Sequence, residues 1–296
     1  MKTNSLVFPK KIFLFAIPAL LSYIIFWVFP IFQLFGYSVT DYNGLSRVFN
    51  FVGLSNYRTI LTEGDLFNSI RNTLIYTVIL MIFGNLIALI LALALNAKIR
   101  AKGFYRTAAY LPTLFSAIVV GFIWSYVYEP DTGMIASILN VLHLNGGAGF
   151  NILGYYSSAL YGIIIVDIWK NIGTTMIIYL AGLQTIDASL LEAGRIDGCN
   201  DWQLTHRIKL PLLFPSITIN VIFSVINGLK AFDYPFIMTN GGPGKATNTL
   251  MYTIYQIAFT DQQFGKASAF SVCAFVLIIA ITSVMIAFMN RKEVSL

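Results

Sequence analysis

Long apolar runs separated by short polar ones dominate this chain. A helix that crosses a membrane needs about 20 mostly apolar residues. Six stretches meet that length: residues 12–36, 72–96, 107–128, 158–183, 213–236 and 267–289. The fourth and fifth contain charged residues, and the other four contain none. The pattern therefore predicts an all-α membrane protein with six transmembrane helices.

Composition agrees with the pattern. Of 296 residues, 57% are hydrophobic and 11% are charged, against about 25% charged in soluble domains. The mean hydropathy is +0.74. The net charge of +6 would suit a nucleic-acid partner, so its placement matters. Twelve basic residues fall on one side: Lys2, Lys10, Lys11, Lys98, Arg100, Lys102, Arg106, Arg195, Arg207, Lys209, Arg291 and Lys292. The opposite loops hold Arg47, Arg58, Lys245 and Lys266, with Arg71 at a boundary. Cytoplasmic loops carry the excess of Lys and Arg, so both termini are expected in the cytoplasm. The charge is then a matter of topology, and no nucleic-acid partner is expected. The first apolar run, Ile12 to Phe35, is too long for a signal-peptide core and reads as an uncleaved helix. Cys199 and Cys273 show no pairing or metal-ligand spacing and read as free thiols.

The stretch EAGRIDGCNDWQLTHRIKLP, Glu192 to Pro211, interrupts the apolar pattern. It holds seven ionisable residues, each costing about 2.5–3.5 kcal/mol at the centre of a membrane helix. Two short helices fit it better. Ser189-x-x-Glu192 has the form of a capping box, Gly198 suits a helix stop, and Asn200-x-x-Gln203 has the form of a second capping box. Pro211 and Pro215 lead into the next span. Helices this short are marginal alone in water. Leu190, Leu191, Ile196, Trp202 and Leu204 are the apolar residues available for packing, either on the membrane surface or on a cytoplasmic partner.

Polar residues recur inside the fourth and fifth spans. Asp167, Lys170, Asn171 and Thr174 share one helix face, with Asp167 and Lys170 spaced to pair. Asn220, Ser224, Asn227 and Ala231 share another, beside Gly228, Lys230 and Asp233. Facing polar stripes at mid-membrane suit an alternating-access site for a hydroxyl-rich solute. The competing reading is hydrogen bonding that holds the helices together. Trp169, Tyr126 and Tyr234 are the nearby aromatic residues. No phosphate-binding glycine loop, metal-ligand spacing or catalytic triad occurs, and the lone His143 and His206 are assigned no role. The chain is therefore expected not to be an enzyme and to bind no metal.

Three stretches resemble a known family. Glu192-Ala193-Gly194, then Gly198, then Ile208-x-Leu210-Pro211 resemble the EAA loop of permease subunits of ATP-binding-cassette importers. FVGLSNY (Phe51 to Tyr57), and TNGGPG (Thr239 to Gly244) with the later AF and FG, resemble the carbohydrate-uptake branch. The TNGGPG form resembles the first permease of the pair in maltose, lactose and glycerol-phosphate importers. Gly194 departs from the family's alanine, which loosens a helix by about 1 kcal/mol.

The resemblance implies a type I importer permease (MetI-like) fold. Residues 1–10 and 290–296 would be cytoplasmic termini, 11–36 a peripheral first helix and 37–71 an extracytoplasmic loop. Residues 72–289 would form a five-helix core that includes the coupling loop at 187–211. It implies ATPase coupling through Glu192, Ala193, Gly194, Asp197, Gly198, Ile208, Leu210 and Pro211. A Glu192 that caps its own helix would have less freedom to meet the ATPase. The implied substrate pathway is Asp167, Lys170, Asn171, Thr174, Ser224, Asn227, Gly228 and Ala231, with Thr113 and Ala117 as weaker matches. Implied partners are a second homologous permease, an ATPase dimer that holds ATP and Mg, an extracytoplasmic solute-binding protein, a carbohydrate-like solute and membrane lipid. No cofactor is expected on this chain. The location would be a bacterial or archaeal cytoplasmic membrane. The alternative is an ion-coupled carrier or channel that needs no ATPase, with Asp167 and Lys170 as an ion relay.

Overall fold

The computed structural model describes residues 11–97, 100–143 and 151–290. The expected cytoplasmic termini, together with Lys2, Lys10, Lys98, Arg291 and Lys292, lie outside the described residues. Those described are mostly helical and include no β-strand, only an isolated bridge between Thr40 and Phe51. Among the described residues, four helices are long and apolar enough to cross a membrane, or up to six if each of two bent pairs counts as one span.

The chain divides into two compact units. One takes in the residues up to Glu63 together with Ile254–Phe275. Its helix α1, Phe15–Tyr37, buries none of its apolar window within the chain. The segment after it is tied down by Asn56, whose Nδ2 donates to the carbonyls of Ser38 (2.9 Å) and Thr40 (2.8 Å). Tyr57 adds a hydroxyl bond to Ser38 at 2.8 Å. Helix α2, Ser55–Thr62, carries both residues, and Glu63 just after it pairs with Lys266. The FVGLSNY stretch is thus the start of a folded strap.

The other unit comprises Gly64–Thr253 and the residues from Val276 on. Its helices are α3 (Asp65–Asn96), α4 (Lys102–Leu114), α5 (Ala117–Val127), α6 (Met134–Val141) and α7 (Ala159–Gln184). They continue with α8 (Ala188–Ile196), α9 (Asp201–Leu212) and α10 (Phe214–Leu229). Ala88 and Ala92 of α3 are fully buried, and with Leu95 they pack on Met176, Tyr179, Leu180 and Leu183 of α7. Small residues let helix backbones approach closely where no hydrophobic force drives them together. Gly173 does the same on α7: a Cβ there would lie 2.6 Å from Tyr110 Cα.

Three boundaries differ from the sequence reading. Helix α3 begins at Asp65, within the stretch read as loop, because its early polar residues Ser69, Asn72 and Thr73 are buried. The stretch 107–128 is not one straight helix, since α4 and α5 meet at 99°. Pro112 sits in the tight turn Leu111–Leu114, Phe115 and Ser116 are extended, and the Ser116 hydroxyl accepts from Val119 N at 3.3 Å to start α5. The helix of the stretch 213–236 stops at Leu229, leaving residues 230–232 as irregular chain before the chain turns helical again at 233–239.

Candidate functional site

Two cavities lie between α3, α7 and α10. The first encloses about 250 Å³ and is bordered by Tyr76, Asp167, Lys170, Asn171, Asn227 and the segment Lys230–Tyr234. Four of its residues carry formal charges. The second encloses about 190 Å³. Leu80, Ile168, Ile178 and Phe223 give it carbon walls, and Thr174, Asn220 and Ser224 add uncharged polar groups. Asn171 and Asn227 border both.

Asp167 is buried and held from two directions. The Tyr76 hydroxyl donates to Oδ2 at 2.8 Å and Asn171 Nδ2 donates to Oδ1 at 2.6 Å. A buried carboxylate needs such donors, because leaving it unsatisfied costs its full desolvation. The spacing of Asp167 and Lys170 suggested an ion pair, but none joins them among the described residues. Asn171, one turn on, takes the place beside the carboxylate instead. The Lys170 carbonyl accepts from Thr113 Oγ1 at 2.8 Å, and Ala117 borders the first cavity.

The other stripe residues divide by occupation. Ser224 is engaged, accepting from Asn85 Nδ2 at 2.9 Å and donating to the Asn220 carbonyl at 2.8 Å. Tyr179 donates to Asn85 Oδ1 at 2.7 Å, so these groups bind α3, α7 and α10 to one another. Asn227 and Thr174 are exposed and make no such bonds among the described residues. Ala231 borders the first cavity. Gly228 borders neither. It is buried against α3, where a Cβ would lie 2.6 Å from Thr77 Cα. Of the three aromatic residues, Tyr234 borders the first cavity, Trp169 packs edge-on against Trp124, and Tyr126 is exposed.

Sequence reasoning missed Tyr76, Asn85 and Tyr179. A signal was present: Ser69, Asn72, Thr73, Tyr76 and Thr77 recur at one-turn spacing, all buried. This stripe also holds the hairpin that follows TNGGPG. Asn72 Nδ2 donates to the carbonyls of Lys245 (3.2 Å) and Asn248 (3.0 Å), and Lys245 Nζ meets Asp65 at 2.7 Å.

The polar loop between α7 and α10 forms two helices. Asp187 caps α8 by accepting from Ser189 N at 3.0 Å, which displaces the capping box expected at Ser189. Hydrogen bonds from Ser189 also hold the Asp187 carboxyl below the usual carboxylate range. Glu192 is exposed and is not a cap. Gly198 adopts φ +84° after α8. The Asn200–Gln203 capping box closes at 2.8 and 2.9 Å. Inside the loop, Gly194 is buried where a Cβ would meet Leu204 and Ile208 at 2.8 Å each. A methyl there would press only on the ends of those two side chains. Leu204 is 1% exposed, whereas Ile196 and Trp202 are 86% and 71% exposed. Glu192, one turn before Ile196, and Leu190 on the other side of α8 are uncovered as well.

Residues 84–293 match the family model described as binding-protein-dependent transport system inner membrane component. The chain is 33% identical to the probable starch degradation products transport system permease protein AmyD of Thermoanaerobacterium thermosulfurigenes, over 96% of this chain and 95% of that protein. It is 34% identical to the multiple sugar-binding transport system permease protein MsmF of Streptococcus mutans serotype c, over 95% of each. A solved structure described as a bacterial alginate ABC transporter in complex with alginate pentasaccharide-bound periplasmic protein has a chain of like fold. Its TM-score is 0.84 at 22% identity, covering 96% of this chain and 95% of that one.

Proposed function

This chain belongs to the family of binding-protein-dependent transport system inner membrane components, and from that premise we propose that it is the permease of an ATP-driven importer for a sugar or oligosaccharide. It is a multi-pass membrane protein with six spans, counting each bent pair as one, and cytoplasmic termini. It works beside a second permease in a bacterial or archaeal cytoplasmic membrane, above an ATPase dimer that holds ATP and Mg and below a solute-binding protein. The sugar relatives support the solute class.

One observation carries the coupling. The loop α8–α9 joins α7 directly to α10, and those two helices border both cavities. A force on the loop therefore reaches both walls without passing through other elements. The ATPase grips the exposed residues Glu192, Ile196 and Trp202. Ala193, Gly194, Asp197, Gly198, Ile208, Leu210 and Pro211 keep those residues in place. Solute passes Asp167, Lys170, Asn171, Thr174, Asn227 and Ala231, while Ser224 and Gly228 hold the walls together.

The test is Glu192→Ala in the assembled transporter. Solute uptake is expected to fall at least about tenfold, the loss of one charge-assisted contact, while the folded permease keeps its melting temperature. Wild-type uptake would refute the coupling role. Ion-driven flux through liposomes that contain this chain alone would instead favour a carrier.

A further inference from the structure

The loop 245–250, just after TNGGPG, is far from the α8–α9 loop in sequence, yet its contacts end at the first cavity. Helix α10 stops at Leu229, so the next carbonyls lose their helical partners. A buried carbonyl without a donor is costly. Thr249, 0% exposed, donates its hydroxyl to the Ala231 carbonyl at 2.7 Å. In the cavity wall 231–234, Ala231 and Tyr234 are the two buried residues, with Phe232 half-buried and Asp233 exposed between them.

Thr249 is itself fixed. The next residue, Leu250, donates its N–H to Thr73 Oγ1 at 2.9 Å. Thr73 is 0% exposed and the neighbouring Asn72 is 4% exposed. Asn72 holds two carbonyls of the same loop, and Ser69 meets Thr253 at 2.6 Å. One turn further along α3, Tyr76 reaches Asp167. A single stripe of α3 thus holds the loop at one end and the cavity carboxylate at the other.

We propose that Asn72, Thr73 and Thr249 are positioning residues for the cavity, and that the loop 245–250, just after TNGGPG, fixes the wall Ala231–Tyr234 to α3 as one piece. None of the three borders the cavity, so their influence runs through the wall. The functional meaning rests on the reading that solute passes here. The mechanical claim does not.

The test uses the whole transporter, with Cys199 and Cys273 replaced by serine and a reporter introduced as Ala231→Cys. The probe is N-ethylmaleimide. Thr249→Val is expected to speed labelling at 231 about five- to tenfold, as expected when one buried hydrogen bond no longer resists local opening. Thr249→Ser keeps the hydroxyl and is expected to restore slow labelling. A control reporter, Val141→Cys, at an exposed position of α6, is expected to label at one rate throughout. If Thr249→Val does not assemble, Asn72→Ala serves, with the same acceleration expected. Labelling within about twofold of the parent in the assembled variant, or equal acceleration by valine and serine, overturns the proposal. Uptake that survives Asn171→Ala and Asn227→Ala would sink the solute pathway, and leaves the labelling result to judge the positioning claim alone.

Discussion

The α8–α9 loop and the cavity pair are built on opposite plans. The loop is one continuous stretch whose order comes from caps, one left-handed glycine and one buried leucine. The cavities are assembled from α3, α7 and α10, with Tyr76 and Asp167 separated by 91 positions. Each plan fails in its own way. The loop has side-chain ends that move aside, whereas the cavity walls meet backbone to backbone.

Two glycines give the sharpest contrast. At Gly228 an added side chain meets the backbone of Thr77, which cannot yield without moving α3. Gly228→Val is expected to cost about 3 kcal/mol or more, at the upper end for overpacking, seen as a large drop in melting temperature in detergent. A wild-type melt would mean that the helix contact is looser than described. Asp167→Ala comes next. It strands the Tyr76 hydroxyl, at about 1–3 kcal/mol, while the Asn171 amide keeps its bond to the carbonyl of residue 167. The melt should fall and Tyr76→Phe should partly relieve it. No relief in the double variant would show that the Tyr76 bond does not matter.

Gly194→Ala should have the smallest effect. The new methyl meets only the ends of Leu204 and Ile208, and alanine returns about 1 kcal/mol of helix propensity. The two nearly cancel, so the melt should shift by no more than about 1 kcal/mol in stability. A collapse comparable to Gly228→Val would erase the distinction between the regions.

The same contrast governs what could be read in advance. Gly198 and the Asn200–Gln203 box were legible because capping signals act within four residues. The start of α8 was misplaced because Asp187 and Ser189 are comparable caps, and the earlier one took the role. Half of the cavity was legible, since Asp167 and Asn171 share a face by helix period alone. Their third partner was not, because no local pattern links Tyr76 to residue 167. The bend after Pro112 was missed because the apolar run continues through it, and hydropathy does not register a change of direction.

Helix α3 has one more consequence. With 32 residues, it is about 48 Å long, well beyond the roughly 30 Å of bilayer hydrocarbon. It is therefore a lever arm with a load at its tip. A tilt of about 10° about its far end would sweep the first turn sideways by about 8 Å. The Asp65–Lys245 pair sits at that tip, so small rotations among the spans would arrive there amplified.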